Sequence, residues 1–118
     1  MADLLVDTDV FVDHLRGERE LRGGDDAISY SVITRAELFA GAHEEEERVA
    51  RLLWPFRELE VERDTAALAG RLRRETGVRL PDALIAATAL RNDLLLLTRN
   101  PRDFERVSDL ELIDPSAR

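Results

Sequence analysis

The sequence predicts an α/β fold with a central parallel sheet of five strands and helices on both faces. Residues 4–6 and 94–97 are continuously apolar, which is the pattern of central parallel strands that are covered on both sides. Helical patterns alternate with the strand patterns along the chain. Such alternation predicts a parallel sheet with right-handed crossover connections.

The five predicted strands follow one another at residues 4–6, 27–30, 58–61, 94–97 and 110–113. Apolar and polar residues alternate or nearly alternate in the third and fifth of these segments, which predicts strands near the sheet edges. The second segment carries the weakest strand pattern. The predicted helices cover residues 8–15, 32–42, 45 to about 56, 65–76 and 81–92.

Several residues mark the predicted ends of the helices. Asp64 precedes the fourth helix as an N-cap, and Gly77 ends that helix. Pro55 disturbs the end of the third helix. We expect Trp54, with its neighbours at 52, 53 and 56, to pack in the core, although a surface for a second copy or a protein partner is the alternative.

The bulk composition predicts one globular domain over residues 1–118. The chain is 44% hydrophobic but only 5% aromatic, so the core must consist mainly of Leu, Val, Ile and Ala. It shows no internal repeat, low-complexity tract or linker. The start lacks the pattern of a signal peptide, and no apolar run approaches the ~20 residues of a membrane span, so we expect a cytoplasmic protein without a membrane partner.

Charge and residue usage exclude several kinds of site. Cys is absent, which removes disulfides, Cys-based zinc sites and Cys nucleophiles. All 17 basic residues are Arg, which removes mechanisms that need a lysine amine. A net charge of −8 argues against a uniformly basic surface for nucleic acid, although part of the negative charge can belong to a site that divalent cations neutralise.

Three carboxylates are the main candidates for a functional site, because ligands of open parallel sheets bind beyond the carboxyl ends of the strands. Asp7 follows the first strand, where it can also simply cap a helix. Glu37 has no possible ion-pair partner three or four residues away, which indicates a metal or a distant cation as its partner. Asp82 lies in the first turn of an apolar helix, where an unpaired charge is costly but the helix dipole is favourable.

A second group of candidates lies after the fourth strand. Asn100 has the position of an N-cap with Pro101 behind it, and Asp103 falls in the same first turn. For both, a structural role stays open beside a role in the site. Arg99 and Arg102 are candidates for contacts to phosphate groups, with solvated surface arginines as the alternative.

Four segments together resemble the ordered motifs of PIN-domain ribonucleases, in particular the VapC-type toxins of toxin–antitoxin pairs. They are LVDTDVFVD at 5–13, SVITRAEL at 31–38, LPDALIAATA at 80–89 and TRNPRDF at 98–104. The four motifs stand in the family's order and cover essentially the whole chain. Their combination is therefore far more specific than any one of them.

The resemblance implies a PIN-like fold and an acidic site that binds Mg²⁺ or Mn²⁺ for RNA cleavage. It carries over Asp7, Glu37 and Asp82 as core carboxylates, and Thr8 as a hydrogen-bond donor beside Asp7. Where many relatives have a fourth acid this chain has Asn100, so either this residue or Asp103 completes the site. The resemblance also implies a homodimer, a tight complex with a VapB-type antitoxin and possible larger toxin–antitoxin assemblies.

Two other classes of function compete with this one. The segment 7–10, DTDV, resembles the nucleophile motif of haloacid-dehalogenase-like phosphatases, but those enzymes normally need a lysine that this chain lacks. The other alternative is an inactive PIN-like binding module that keeps the fold without the activity. The presence of all three core acids argues against it. The RNA that is cut and the number of metal ions are not readable from the sequence.

Overall fold

The structure, a computed structural model, describes residues 1–118 and contains five parallel strands and five α-helices. The strands are β1 (Asp3–Val6), β2 (Ala27–Ser31), β3 (Arg57–Leu59), β4 (Leu95–Leu97) and β5 (Leu112–Ile113). The helices are α1 (Thr8–Leu15), α2 (Val32–Phe39), α3 (Glu46–Leu53), α4 (Arg63–Thr76) and α5 (Leu80–Arg91). The predicted fold class is confirmed.

The strands lie in the order β3-β2-β1-β4-β5, and every neighbouring pair is parallel. The chain begins in the centre, adds β2 and β3 on one side, and then adds β4 and β5 on the other. Leu5 of β1 is in register with Ser29 of β2 and Leu96 of β4. The winding direction therefore reverses between β1 and β4, and in open α/β sheets this is where a ligand crevice forms.

The pattern of alternation correctly predicted which strands lie at the edges, since β3 and β5 are outermost. The segment with the weakest pattern, β2, lies inside the sheet between β1 and β3. Two buried serines weaken its apolar character. One of them, Ser31, accepts a hydrogen bond from the backbone N–H of Ile33 and caps α2, so a polar residue is needed there.

Two hydrophobic cores flank the sheet. One forms between the sheet and helices α4 and α5, and includes Leu5, Leu96 and the apolar residues of α5. The other includes Leu4 and Val6 with residues of α1, α2 and α3. Because successive side chains of β1 point to opposite faces, one continuously apolar strand supplies both cores.

Some predicted helix ends are corrected. The helix α2 ends at Phe39 rather than at residue 42, and a turn follows in which the N–H of Gly41 bonds to the carbonyl of Leu38. The helix α4 begins at Arg63, so Asp64 lies in its first turn and is not the N-cap. Its predicted end is confirmed: Gly77 has φ +78°, in the left-handed region that glycine adopts at little cost.

The prediction that Trp54 packs in the core is wrong. The helix α3 covers only Glu46–Leu53, and the backbone turns away before Pro55. Leu53 is fully buried, whereas Trp54 is 87% exposed. No helix in the structure combines the length and the apolar character that crossing a lipid bilayer requires.

Candidate active site

Asp7 lies at the reversal point between β1 and β4. Its backbone N–H donates to the carbonyl of Leu97 at 2.9 Å, which extends the β1–β4 ladder by one bond. It is also the N-cap of α1, and its Oδ1 accepts a hydrogen bond from the N–H of Thr8 at 2.8 Å. Thr98, the residue after β4, donates its hydroxyl proton to Oδ2 at 2.9 Å. Adjacent strands thus fix both oxygens of this carboxyl group.

The surroundings of Asp7 oppose its negative charge. Only 6% of the residue is exposed, and burial raises the pKa of its carboxyl group from 3.8 to about 7, with the charge of Asp9 contributing further. The hydrogen bonds from Thr98 and Thr8 lower the pKa but do not compensate. A buried carboxylate with this environment gains strongly from a nearby cation.

Glu37, on α2, is connected to the residue next to Asp7 by hydrogen bonds of two threonine hydroxyl groups. Thr8 Oγ1 donates to Glu37 Oε1 at 2.7 Å, and Thr8 Oγ1 lies 2.9 Å from the hydroxyl of the buried Thr34. Because the single hydroxyl proton of Thr8 goes to the carboxylate, Thr34 must be the donor to Thr8. Glu37 has no ion-pair partner in the structure, as its sequence context predicted.

Asp82 approaches from the first turn of α5. Its side chain is half-buried, and burial raises the pKa of the carboxyl group, followed by the charge of Asp103. The charges of Glu37 and Asp9 raise it further, whereas Arg79 lowers it. Carboxylates from α1, α2 and the segment after β4 therefore all repel the carboxylate of Asp82.

Asp7, Glu37 and Asp82 thus come together at the carboxyl end of the sheet, and the donor set fits a hard divalent cation. Carboxylate oxygens are the preferred ligands of Mg²⁺, and their mutual repulsion is relieved by a positive ion. As the side chains stand, no three Asp, Glu or His residues are close enough to enclose an ion. Glu37 and Asp103 are exposed, so small side-chain rotations are open to them.

Asp9 is a neighbour of the site that the sequence reasoning missed. Its Oδ2 accepts a hydrogen bond from the side-chain amide of Asn100 at 2.9 Å and lies 3.3 Å from the hydroxyl of Thr98, whose single proton is donated to Asp7, and its Oδ1 accepts from the N–H of Arg99 at 3.3 Å. Thr98 was missed as well. The signal for both was positional, since residues after β4 must face the start of α1 once β4 pairs with β1.

Asn100 lies at the predicted N-cap position, but its side chain does not cap the turn. It precedes only a short 3-10 turn, Pro101–Asp103, and its side chain makes no capping hydrogen bond. Its amide group instead supports Asp9. Asp103 lies in that turn, exposed, and acts electrostatically on Asp82.

The two arginine candidates differ in their surroundings. Arg99 bonds to the buried carboxylate of Asp13 and lies 3.9 Å from Glu18, so its charge is engaged within the protein. Arg102 is exposed and has no carboxylate partner. It lines a polar groove that also contains Asp82 and Asp103.

A second, more apolar groove of about 440 Å³ opens on the other side of Glu37. It lies between α1, the end of α2 and the start of α3. Its apolar walls come from Val12, Leu15, Leu38 and Val49.

Comparisons with known proteins agree with this fold. The family model of the PIN domain matches residues 4–110. The chain is 37% identical over 124 residues to ribonuclease VapC19 of Mycobacterium tuberculosis, covering 91% of this chain and 96% of that protein. It is also 37% identical over 120 residues to ribonuclease VapC10 of the same organism, covering 92% and 90% of the two chains.

Solved structures show the same relationship. A chain of a toxin–antitoxin complex from Klebsiella pneumoniae has a TM-score of 0.74 and 31% identity, covering 93% of this chain and 95% of that chain. DNA-bound VapBC from Salmonella typhimurium has a TM-score of 0.79 over 97% of this chain and 98% of that chain. At 24% identity, the second likeness shows the fold alone.

Proposed function

This chain belongs to the PIN-domain family, and from that premise we propose that it is a metal-dependent endoribonuclease that acts as the toxin of a toxin–antitoxin pair. The observation that carries the proposal is the meeting of Asp7, Glu37 and Asp82 at the reversal point of the sheet. The similarity to two proteins named as ribonucleases supports RNA as the substrate.

Asp7, Glu37 and Asp82 would hold the ion, which we propose to be Mg²⁺ or Mn²⁺. Asp103 is our choice for the fourth ligand, because its charge acts on Asp82. Asn100 is the poorer candidate, since its amide group is already bonded to Asp9. When bound, the ion supplies polarisation of the scissile phosphodiester and a water of lowered pKa.

The side chains of the protein contribute position and charge. The hydroxyl of Thr98 and the N–H of Thr8 hold the two oxygens of Asp7, so this carboxyl group cannot rotate away. The hydroxyl of Thr8 orients Oε1 of Glu37. Burial raises the pKa of Asp7 to about 7, so this carboxyl group exchanges its proton near neutral pH and becomes fully available as a ligand above that pH.

The proposed partners are RNA, a small VapB-type antitoxin and a second copy of the chain, with larger toxin–antitoxin assemblies possible. The apolar groove beside Glu37 supports the antitoxin, because apolar side chains of a short segment can fill it next to the acids. A segment bound there would also block the approach of RNA. We further propose that the protein acts in the cytoplasm.

The haloacid-dehalogenase-like alternative gains no support. The matching family is that of the PIN domain, and Asp9, the second acid of the resembling motif, is held by the N–H of Arg99 and the side-chain amide of Asn100. An inactive binding module remains the opposing hypothesis.

The test is RNA cleavage by the purified protein with Mg²⁺ or Mn²⁺, with a chelator as the negative control. We expect cleavage by the wild type and a loss of it in Asp7→Asn and Glu37→Gln. Asp25→Asn is the matched control, because it removes an exposed carboxylate that makes no hydrogen bond in the loop before β2. Equal cleavage by wild type and Asp7→Asn would overturn the assigned site, and inactivity of the wild type would favour the binding module.

The biological role has its own test. Expression of the chain should arrest growth, and co-expression of the gene immediately upstream should relieve the arrest if it encodes the antitoxin. Growth arrest that persists in Asp7→Asn would contradict a nuclease toxin.

A further inference from the structure

A groove of about 290 Å³ next to Asp82 carries three arginines for which the proposed metal site has no use. We call it the arginine groove. It is lined by Arg79, Arg102 and Arg106, by Asp82 and Asp103, and by residues 76–78 at the turn between α4 and α5. Asp82 and Asp103 belong to both the groove and the acidic site, so the two are continuous.

The wall of the arginine groove is held in place by hydrogen bonds to the end of α4. A guanidinium N–H of Arg73 donates to the carbonyl of Gly77 at 2.6 Å and to that of Val78 at 3.3 Å. Arg106 donates to the carbonyl of Thr76 at 3.3 Å. Arg106 is thereby directed along the groove, and its remaining N–H groups stay available to a ligand.

The three guanidinium groups have no carboxylate partner within 4.0 Å, although Asp82 and Asp103 line the same groove. Six of the 17 arginines, Arg99 among them, pair with acids and the other 11 do not, so the absence of an ion pair is common in this chain. What is unusual at a net charge of −8 is that three such arginines line one depression, where they outnumber its two carboxylates. It is a place where the protein can attract an anion.

The character of the groove favours a phosphate over a protein segment. Only one of its eight lining residues, Val78, is hydrophobic, so it offers little to an apolar side chain. A guanidinium group has the planar pair of donors that matches phosphate oxygens. A phosphodiester backbone also presents a phosphate at every nucleotide, so one phosphate can lie at the acids while its neighbour lies among the arginines.

We propose that the arginine groove binds the RNA phosphate adjacent to the scissile one, through Arg79, Arg102 and Arg106. This inference rests on the proposed ribonuclease function and specifies how the strand is positioned in that site. Because these contacts are made to the backbone, they fix the position of the strand without selecting its sequence.

The first test is the binding of a labelled random single-stranded oligoribonucleotide, measured by fluorescence anisotropy in Mg²⁺ buffer over a range of salt concentrations. All proteins carry Asp7→Asn to prevent cleavage. In this background we compare Arg102→Gln/Arg106→Gln, which leaves Arg79 in place because that residue acts on Asp82, with Arg51→Gln/Arg63→Gln. The control pair removes the same charge from two exposed arginines on α3 and α4 that have no ion pair and lie outside the groove.

For single strands, each lost phosphate contact lowers the slope of log K against log salt by about 0.7. Because the groove holds one phosphate, we expect the groove pair to lower the slope by up to about 0.7 and the control pair to leave it unchanged. Both pairs should keep the circular dichroism spectrum of the parent, because the substituted side chains are exposed. Equal slopes in the two pairs would overturn the inference.

Cleavage kinetics separate this inference from the proposed function. With Asp7 intact, the groove pair should raise KM and leave kcat nearly unchanged, since it loses binding that is equal in the ground and transition states. Normal cleavage with an unchanged KM would refute phosphate binding by the arginine groove and would leave the proposed ribonuclease function unaffected. Failure of the wild type to bind or cleave RNA would refute both. If the groove pair lost binding of a VapB-type antitoxin but kept RNA binding, the groove would be a protein-binding site.

Discussion

Replacing Asp7 with Asn should stabilise the metal-free protein at high pH. The substitution keeps the size and shape of the side chain and removes a negative charge from a residue that is only 6% exposed. The amide oxygen can still accept the hydrogen bond from the N–H of Thr8. The hydroxyl of Thr98 must reorient if the amide nitrogen takes the place of Oδ2.

The size of the effect follows from the pKa of Asp7. A rise from 3.8 to about 7 corresponds to about 4 kcal/mol at 1.36 kcal/mol per pKa unit. Between these two values the folded protein retains a proton that the unfolded chain releases, so the wild type loses stability as the pH rises through this window. Above about pH 7 the folded wild type bears the full free-energy cost of burying the charged carboxylate. Allowing for the rearranged Thr98 hydrogen bond, we expect Asp7→Asn to be more stable by about 2–4 kcal/mol.

Urea unfolding followed by circular dichroism measures this difference. With chelator present, the extra free energy of unfolding of Asp7→Asn over the wild type should be large near pH 8. It should be small near pH 4.5, where Asp7 is largely protonated in the folded wild type. Asp25→Asn, which changes an exposed carboxylate, should show no such gain. Added Mg²⁺ should stabilise the wild type and not Asp7→Asn. The reasoning is refuted if Asp7→Asn is no more stable than the wild type near pH 8, or if the difference is the same at both pH values.

Three further substitutions probe the surroundings of the site. Thr98→Val removes the donor to Asp7 and should cost about 1–3 kcal/mol in urea unfolding near pH 8; a neutral result would show that this hydrogen bond is replaceable. Arg99→Ala leaves the buried carboxylate of Asp13 without its partner and should cost about 1–3 kcal/mol; a loss no larger than that of Arg51→Ala, which removes an exposed arginine without an ion pair, would contradict this origin. Trp54→Ser should change the free energy of unfolding by less than about 0.5 kcal/mol, because the side chain is exposed, and a larger loss would mean that Trp54 has packing contacts.

The sequence was sufficient to predict the sheet and its helices because apolar periodicity reports burial directly. Residues 4–6 are apolar on both faces since each face of β1 meets a core. The weak pattern of β2 and the early end of α2 were harder to predict. In the first case one of the two buried serines, Ser31, serves as a helix cap, and in the second the turn at Gly41 stops a helix whose apolar pattern continues.

Within the candidate site, the positions of Asp7, Glu37 and Asp82 were predictable because each one follows a strand or lies on a helix with a recognisable pattern. The hydrogen bonds that connect them were not. Thr98 meets Asp7 across 91 positions of the chain, and only the pairing of β4 with β1 brings them together. The burial of Trp54 was predicted wrongly, because residue type alone cannot tell a buried aromatic side chain from an exposed one.

The exposure of Trp54 also determines what tryptophan fluorescence can report about this protein. It is the only tryptophan in the chain, and its ring is already surrounded by water in the folded state. Its emission should therefore shift little when the chain unfolds, and a folding study by intrinsic fluorescence would miss most of the transition. For the same reason, a blue shift on mixing with another macromolecule would report that the end of α3 has been covered.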